Sequence, residues 1–285
     1  LRAVDAARRS EPPVVIHVVD NGSVDGSAER LEDLHPEVLL QRTGANLGFA
    51  KAANRGIRAA LDAGADFVFL LNSDAVVRED TIGALVNASQ RHPEAGLLAG
   101  KILQDGAGKR LWCCGVKMGF WPNLARLRGH GRRDLGRYDR EELVDALTGC
   151  GLLVARAVFE RIGLLDEGYF VYVEDADFCA RAAKAGVRCC YVPTSVMVHR
   201  GAGSTGGGYS EGRKYLSAHG SVRYLRDHGT PSLWLGFLVL DLALYPLVAL
   251  LGSLRGRLPG VLAKGRGLRD GLLGRPADRG VVEGR

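Results

Sequence analysis

The first regular signal in the chain is VVIHVVD (14–20), a continuous β-branched run of the kind a strand buried on both faces requires. It breaks into NGSVDGS, a stretch of turn formers, and then into SAERLEDLH, which predicts a short helix with Ser27 as its cap. VLLQRT (38–43) predicts a second strand. FAKAANRGIRAALDAG (49–64) sets apolar residues at helical spacing and closes on Gly64. DFVFLLNSD (66–74) is a third apolar strand ending in polar residues, TIGALVNASQRHP a helix, and AGLLAGKIL (95–103) a strand. Residues 104–145 carry no period that assigns an element. TGCGLLVARAVFERIG (148–163) pairs a strand with a helix, and FVYV (170–173) reads as a strand running into acid. CCYVPTSVMVHR is strand-like to His199, GAGSTGGG (201–208) is a loop, and 213–228 is helical. Strands alternating with helices at this spacing predict an α/β fold with a mostly parallel sheet, whose ligands sit at the carboxyl ends of the strands. Asp20-Asn21 and Asn72-Ser73-Asp74 stand at two such ends.

Composition changes this picture little. The chain has 285 residues, of which 46% are hydrophobic and 25% charged, the balance of a folded protein with ample core. The net charge of +6 is placed unevenly: residues 255–285 hold eight basic and three acidic side chains, so the tail carries +5 of it. The remainder is close to neutral, which argues against nucleic acid as a partner. LRAVDAARRS has neither the apolar run nor the cleavage site of a secretory signal. The six cysteines, four in the pairs Cys113/Cys114 and Cys189/Cys190, show no metal-binding spacing and read as small buried thiols. No GxGxxG or GxxxxGK[ST] occurs, which removes the dinucleotide and P-loop readings.

The candidate chemistry lies in three places. Asp74, at the end of a buried strand, needs a partner: it either caps the following helix or offers oxygen to a hard cation such as Mg²⁺ or Mn²⁺. Glu174, Asp175 and Asp177 crowd three carboxylates into four positions. They either form an acidic first helical turn, with Asp177 paired to Arg181, or emerge into a cleft where one acts as a general base. His199 ends a strand beside the Gly-rich 201–208 segment, which reads as a linker or as a lid over phosphate.

Six stretches in order carry a resemblance over roughly residues 14–205: VVDNGSVDGS (18–27), NLGFAKAANRG (46–56), LLNSD (70–74), TGCGLLVARAVFERIGLLDEGYF (148–170), VYVEDADFCARAAKAG (171–186) and VPTSVMVH (192–199). Together they resemble family 2 glycosyltransferases with the GT-A nucleotide-sugar-binding fold, in the bacterial rhamnosyltransferase-like branch. The resemblance implies an inverting, metal-assisted transfer from a nucleotide-sugar donor, best matched by a TDP-rhamnose-like sugar, to a cell-envelope glycan or lipid-linked acceptor. UDP-galactofuranose, GDP-mannose and UDP-N-acetylglucosamine are alternative donors, and a nucleotide-binding pseudoenzyme is the rival of another class. The implied donor-binding residues are Asp20, Asn21, Asn46, Gly48, Asn54, Asn72 and Asp74. Asp74 with His199 would hold the divalent metal, because the first acid of the family's DXD motif is Asn72 here. Asp175 falls at the catalytic base, and Thr148, Gly149, Glu174 and Asp177 at the acceptor. The implied division is 1–103 for the donor, 104–212 for acceptor and catalysis, and 213–285 for a helical C-terminal extension.

Two further expectations concern the ends. LWLGFLVLDLALYPLVALL (233–251) has the length of a membrane span but contains Asp241 and Pro246, so it predicts interfacial or re-entrant helices followed by a basic tail drawn to anionic lipid. That gives an enzyme peripheral on the cytoplasmic face of the bacterial membrane, released by deleting residues 230–285. The family's first strand, which ends in a Thr-Tyr-Asn-like motif, has no counterpart before Leu1–Ser10. The resemblance therefore implies a truncated N-terminus, a sheet lacking its first strand, and low stability.

Overall fold

A computed structural model describes all residues except 105, 107–108, 122, 201–209, 279 and 281–285. The Gly-rich 201–208 segment thus lies outside the described residues. In chain order the elements are α1 (Arg2–Ala7), β1 (His17–Asp20), α2 (Ser27–Leu34), β2 (Leu39–Arg42), α3 (Phe49–Asp62), β3 (Phe67–Leu71), β4 (Ala75–Val77), α4 (Thr81–Arg91) and β5 (Ala95–Gln104). Short strands β6 (Leu111–Cys113), β7 (Val116–Met118), β8 (Ala125–Leu127) and β9 (Glu142–Val144) follow. Then come β10 (Gly151–Ala155), α5 (Arg156–Ile162), α6 (Glu174–Lys184), β11 (Arg188–His199) and α7 (Glu211–His228). The C-terminal part is α8 (Pro231–Phe237), a π-helical turn (Leu238–Ala243), α9 (Tyr245–Leu254) and α10 (Leu258–Leu272).

The central sheet runs β3-β10-β5-β11-β4, with β6 on β5 and β9 on β11. It is mixed rather than mostly parallel. β5 and β11 pair parallel, but β10 enters antiparallel between β3 and β5, so those two point the same way without touching. β1 and β2 pair parallel as a separate sheet. Among the described residues no strand joins β1 to β3; α3 bridges them by packing on both. The main core gathers Leu97, Ile102, Leu152, Phe178 and Tyr191 between sheet and helices. All six cysteines are free and buried, as their composition implies.

Three expectations need correction. Helix α2 begins at Ser27 itself, with Gly26 at its N-cap and no capping side chain there; the Asp25 carboxylate accepts the Ser27 N–H, so Ser27 is not the cap. Residues 170–173 form a turn, not a strand, with Tyr172 and Val173 at φ 71° and 75°. The unassigned 104–145 region supplies four short strands, which wrap β5 and β11 and form the β7–β8 hairpin.

Candidate active site

Two loops meet beyond the carboxyl ends of β1 and β2. The Asn21 amide donates to Asn46 Oδ1 (3.1 Å) and to the Gly48 carbonyl (3.3 Å), while its oxygen accepts the Leu47 N–H (2.9 Å). Asp20 Oδ1 accepts the Ser23 N–H and shapes the turn after β1. A Cβ on Gly22 would sit 2.7 Å from the Ala45 carbonyl carbon, so the loops approach at a distance only glycine allows. Asp20, Asn21, Asn46 and Gly48 are brought together as the sequence implies. Asn54 is not. It is buried on α3, donating to the Leu165 carbonyl and Glu167 and accepting the Leu165 N–H, so its amide is spent anchoring the 165–167 loop. We correct its role from donor contact to loop anchor.

That loop leads into the 169–173 turn. The Phe49 N–H donates to the Phe170 carbonyl at 2.6 Å, and a Cβ on Gly48 would meet the same oxygen at 2.5 Å. Positive φ at two successive non-glycine residues, one of them β-branched, is costly and persists only where surrounding contacts enforce it. Here Phe170, Val171 and Tyr172 pack on Tyr215, Leu216 and Ala263 of α7 and α10. Val173 is the N-cap of α6, so the strained turn sets where the acids fall.

At the start of α6 the Asp175 carboxylate accepts the Gly149 N–H (3.1 Å) and the Ala176 N–H (2.7 Å). Burial pushes its pKa up, against these bonds, which lower it. Glu174 is buried, has one carboxyl oxygen with no hydrogen-bond partner, and is pushed up to about 8 by burial and by Asp175 beside it. The hydroxyl of buried Thr148 also lacks a partner. Buried polar atoms are nearly always paired, so two orphans flanking one carboxylate mark a place for a polar ligand. Asp177 differs: both oxygens are taken, by Arg181 (2.9 Å) and His228 (2.7 Å), which holds its carboxyl below the ordinary value despite burial. Sequence put Asp177 at the acceptor; we correct it to a tie between α6 and α7.

Asp74 caps no helix, the N-cap of α4 being Asp80. Antiparallel pairing sets His199 opposite Ala75, and its Nε2 lies 3.1 Å from Asp74 Oδ1. The ring is buried edge-on to Trp112 at 4.4 Å, and its Nδ1 has no partner. Among the described residues no group of three or more His, Cys, Asp or Glu could hold a metal. One carboxylate and one imidazole still fit a divalent ion that fills its remaining positions with water and phosphate oxygen. The stretch Thr148–Cys150 joins the two halves: Gly149 binds Asp175, and the Cys150 carbonyl accepts the Asn72 N–H (3.1 Å) in the Asp74 loop. Trp112, the Phe170 turn and His228 escaped sequence reasoning, since none sits in a pattern that marks it.

Comparison with known proteins shows the family. The chain is 35% identical over 236 residues, covering 76% of this chain and 75% of the relative, to an N-acetylglucosaminyl-diphospho-decaprenol L-rhamnosyltransferase of Mycobacterium tuberculosis. It is 28% identical over 183 residues, 64% of this chain and 58% of the relative, to the dTDP-rhamnosyl transferase RfbF of Shigella flexneri. In fold it is similar to the mannosyltransferase PcManGT from Pyrobaculum calidifontis, solved in complex with GDP-Man and Mn²⁺: TM-score 0.54, 20% identity, 92% of this chain and 68% of that one. Residues 1–161 match the family described as glycosyl transferase family 2. The chain belongs to that family, with the GT-A fold and rhamnosyltransferases among its relatives.

Proposed function

We propose that the protein transfers rhamnose, with inversion, from a TDP-sugar to a hydroxyl of a cell-envelope glycan or lipid-linked acceptor, with Asp175 as general base. The observation that carries this reading is the Thr148–Cys150 stretch, which couples a half-buried carboxylate flanked by unpaired polar atoms to the Asp74–His199 pair. Asp175 takes the proton of the acceptor hydroxyl as that oxygen attacks the anomeric carbon, and the bond to the diphosphate breaks on the opposite face. Glu174, protonated near neutral pH, and Thr148 each offer a donor and an acceptor to the incoming sugar. The Asn21–Asn46–Gly48 loops hold the nucleotide. Asp74 and His199 would hold a divalent ion, Mg²⁺ or Mn²⁺, which when bound neutralises charge on the departing diphosphate.

The names of the relatives support rhamnose over other sugars, and the lipid-diphosphate acceptor in one of those names supports a lipid-linked acceptor. A screen of TDP-, UDP- and GDP-sugars with Mg²⁺ or Mn²⁺, reading nucleoside diphosphate release, tests the reading. TDP-rhamnose is the expected donor, and GDP-mannose turnover alone would replace it. Asp175→Asn should retain donor binding and lose at least ~100-fold in kcat, the usual scale of lost general-base catalysis. A variant keeping more than about a tenth of turnover removes Asp175 from that role.

A further inference from the structure

From Leu235 to Leu254 the polarity of the helices is turned outward. Leu235, Leu238, Val239, Leu247, Leu250 and Leu254 are exposed. The one charged residue between Pro231 and Leu254, Asp241, is buried and paired with Lys264 of α10. A helix on a protein surface facing water does the reverse. No single helix among the described residues is long and apolar enough to cross a membrane; α8 with the π-turn and α9 pass that test only as a pair bent by 45°. Both segments therefore present leucine sideways, along a surface.

Two kinds of occupant could cover this face, and charge separates them. Arg255 is exposed directly after the apolar row, and residues 255–285 carry +5. A second copy docked face to face would set one cationic tail against another, whereas an anionic lipid surface complements both the leucines and the arginines. The face also continues to the active site. Phe237 packs edge-on to Phe120 of the β7–β8 hairpin at 5.7 Å, and both share a cluster with Ala176, the neighbour of Asp175. Phe120 abuts Gly236, so Trp121, 74% exposed, and Leu235 each lie one residue from that contact. Tryptophan beside leucine is the composition of a membrane interface.

We propose that α8, the π-turn, α9 and Trp121 lie in the headgroup layer of an anionic bilayer, with Asp175 on the helix just behind them. The geometry lets an acceptor carried on lipid approach the base from the bilayer; this second step rests on the acceptor reading above, while the docking itself does not.

The test is co-sedimentation of the full chain with mixed phosphatidylcholine–phosphatidylglycerol vesicles and with pure phosphatidylcholine vesicles. Wild type should bind the mixed vesicles. Leu247→Glu with Leu250→Glu should weaken binding at least ~10-fold at an unchanged melting temperature, since both side chains already face solvent. Arg255→Glu should weaken binding to the mixed vesicles and leave any binding to the neutral ones. Wild type that ignores mixed vesicles overturns the proposal, as does a double variant that binds them normally. A dimer in sedimentation velocity that the double variant disperses, without vesicle binding, assigns the face to self-association instead. None of these readouts involves sugar transfer, so failure of the donor screen would leave the docking result standing.

Discussion

Glu174, buried, and Asp175, half-buried, are adjacent acids with no cation paired to either among the described residues, and the pair resolves its repulsion by keeping a proton. The cost is paid in stability. Folding raises Glu174 from its ordinary 4.5 to about 8, so the folded protein holds a proton that the unfolded chain has released. Stability is unaffected below the lower value, falls as pH rises towards the upper one, and is level beyond it. Glu174→Gln keeps the shape and cannot ionise, so it should melt with wild type near pH 4 and above it near pH 9. Melting curves at the two pH values check this, and a variant that loses stability equally at both shows that Glu174 is not held neutral. At this scale the sequence singled out Asp175, Asp74 and His199, which the structure sets at the two ends of the Thr148–Cys150 stretch, but it did not show what their neighbours bond to. Asn54 and Asp177 sit in the right stretches yet turn inward, because an amide or carboxylate facing the core takes whatever donors the packing supplies.

At the scale of elements, the strands and helices of the first hundred residues, apart from three-residue β4, were legible because each carries a single period and ends in turn formers. The 104–145 region was not: its strands are three residues long and find partners on β5, β11 or each other, contacts no local pattern announces. The 169–173 turn was misread for a physical reason. Tyr and Val favour extended backbone, and the positive φ they adopt is imposed by α7, α10 and the Gly48 contact from outside. That dependence is testable. Gly48 has φ 85°, and a Cβ would meet the Phe170 carbonyl at 2.5 Å, so Gly48→Ala must push the β2–α3 loop off the turn. We expect a loss of about 1–3 kcal/mol in denaturant unfolding and weaker nucleotide binding by titration, since Asn21 donates to the Gly48 carbonyl. If Gly48→Ala matches wild type in both, the loop and turn are not mutually supporting.

For the whole molecule, the C-terminal helices change meaning between sequence and structure. As sequence they read as a detachable basic extension, and removing residues 230–285 was expected to free a soluble enzyme. In the structure α10 lies along α7, covering Tyr215, Leu216, Val222 and Leu225, each at most 2% exposed. Ala263 backs the turn that aims the acids, and Phe237 shares a cluster with Ala176. Full burial of such a side chain contributes roughly 1.5–3 kcal/mol, so uncovering four forfeits up to ~6–12 kcal/mol. A domain of this kind has only about 5–15 kcal/mol in total. Deleting residues 230–285 should therefore yield aggregated protein, or soluble protein with the α6 turn loosened and transfer lost, whether or not lipid is present. Soluble yield, a melting curve and turnover of a short water-soluble acceptor decide the matter. A truncated chain that stays monomeric, melts near wild type and retains transfer would restore the detachable extension, and would mean that α7 alone is enough to hold the catalytic turn.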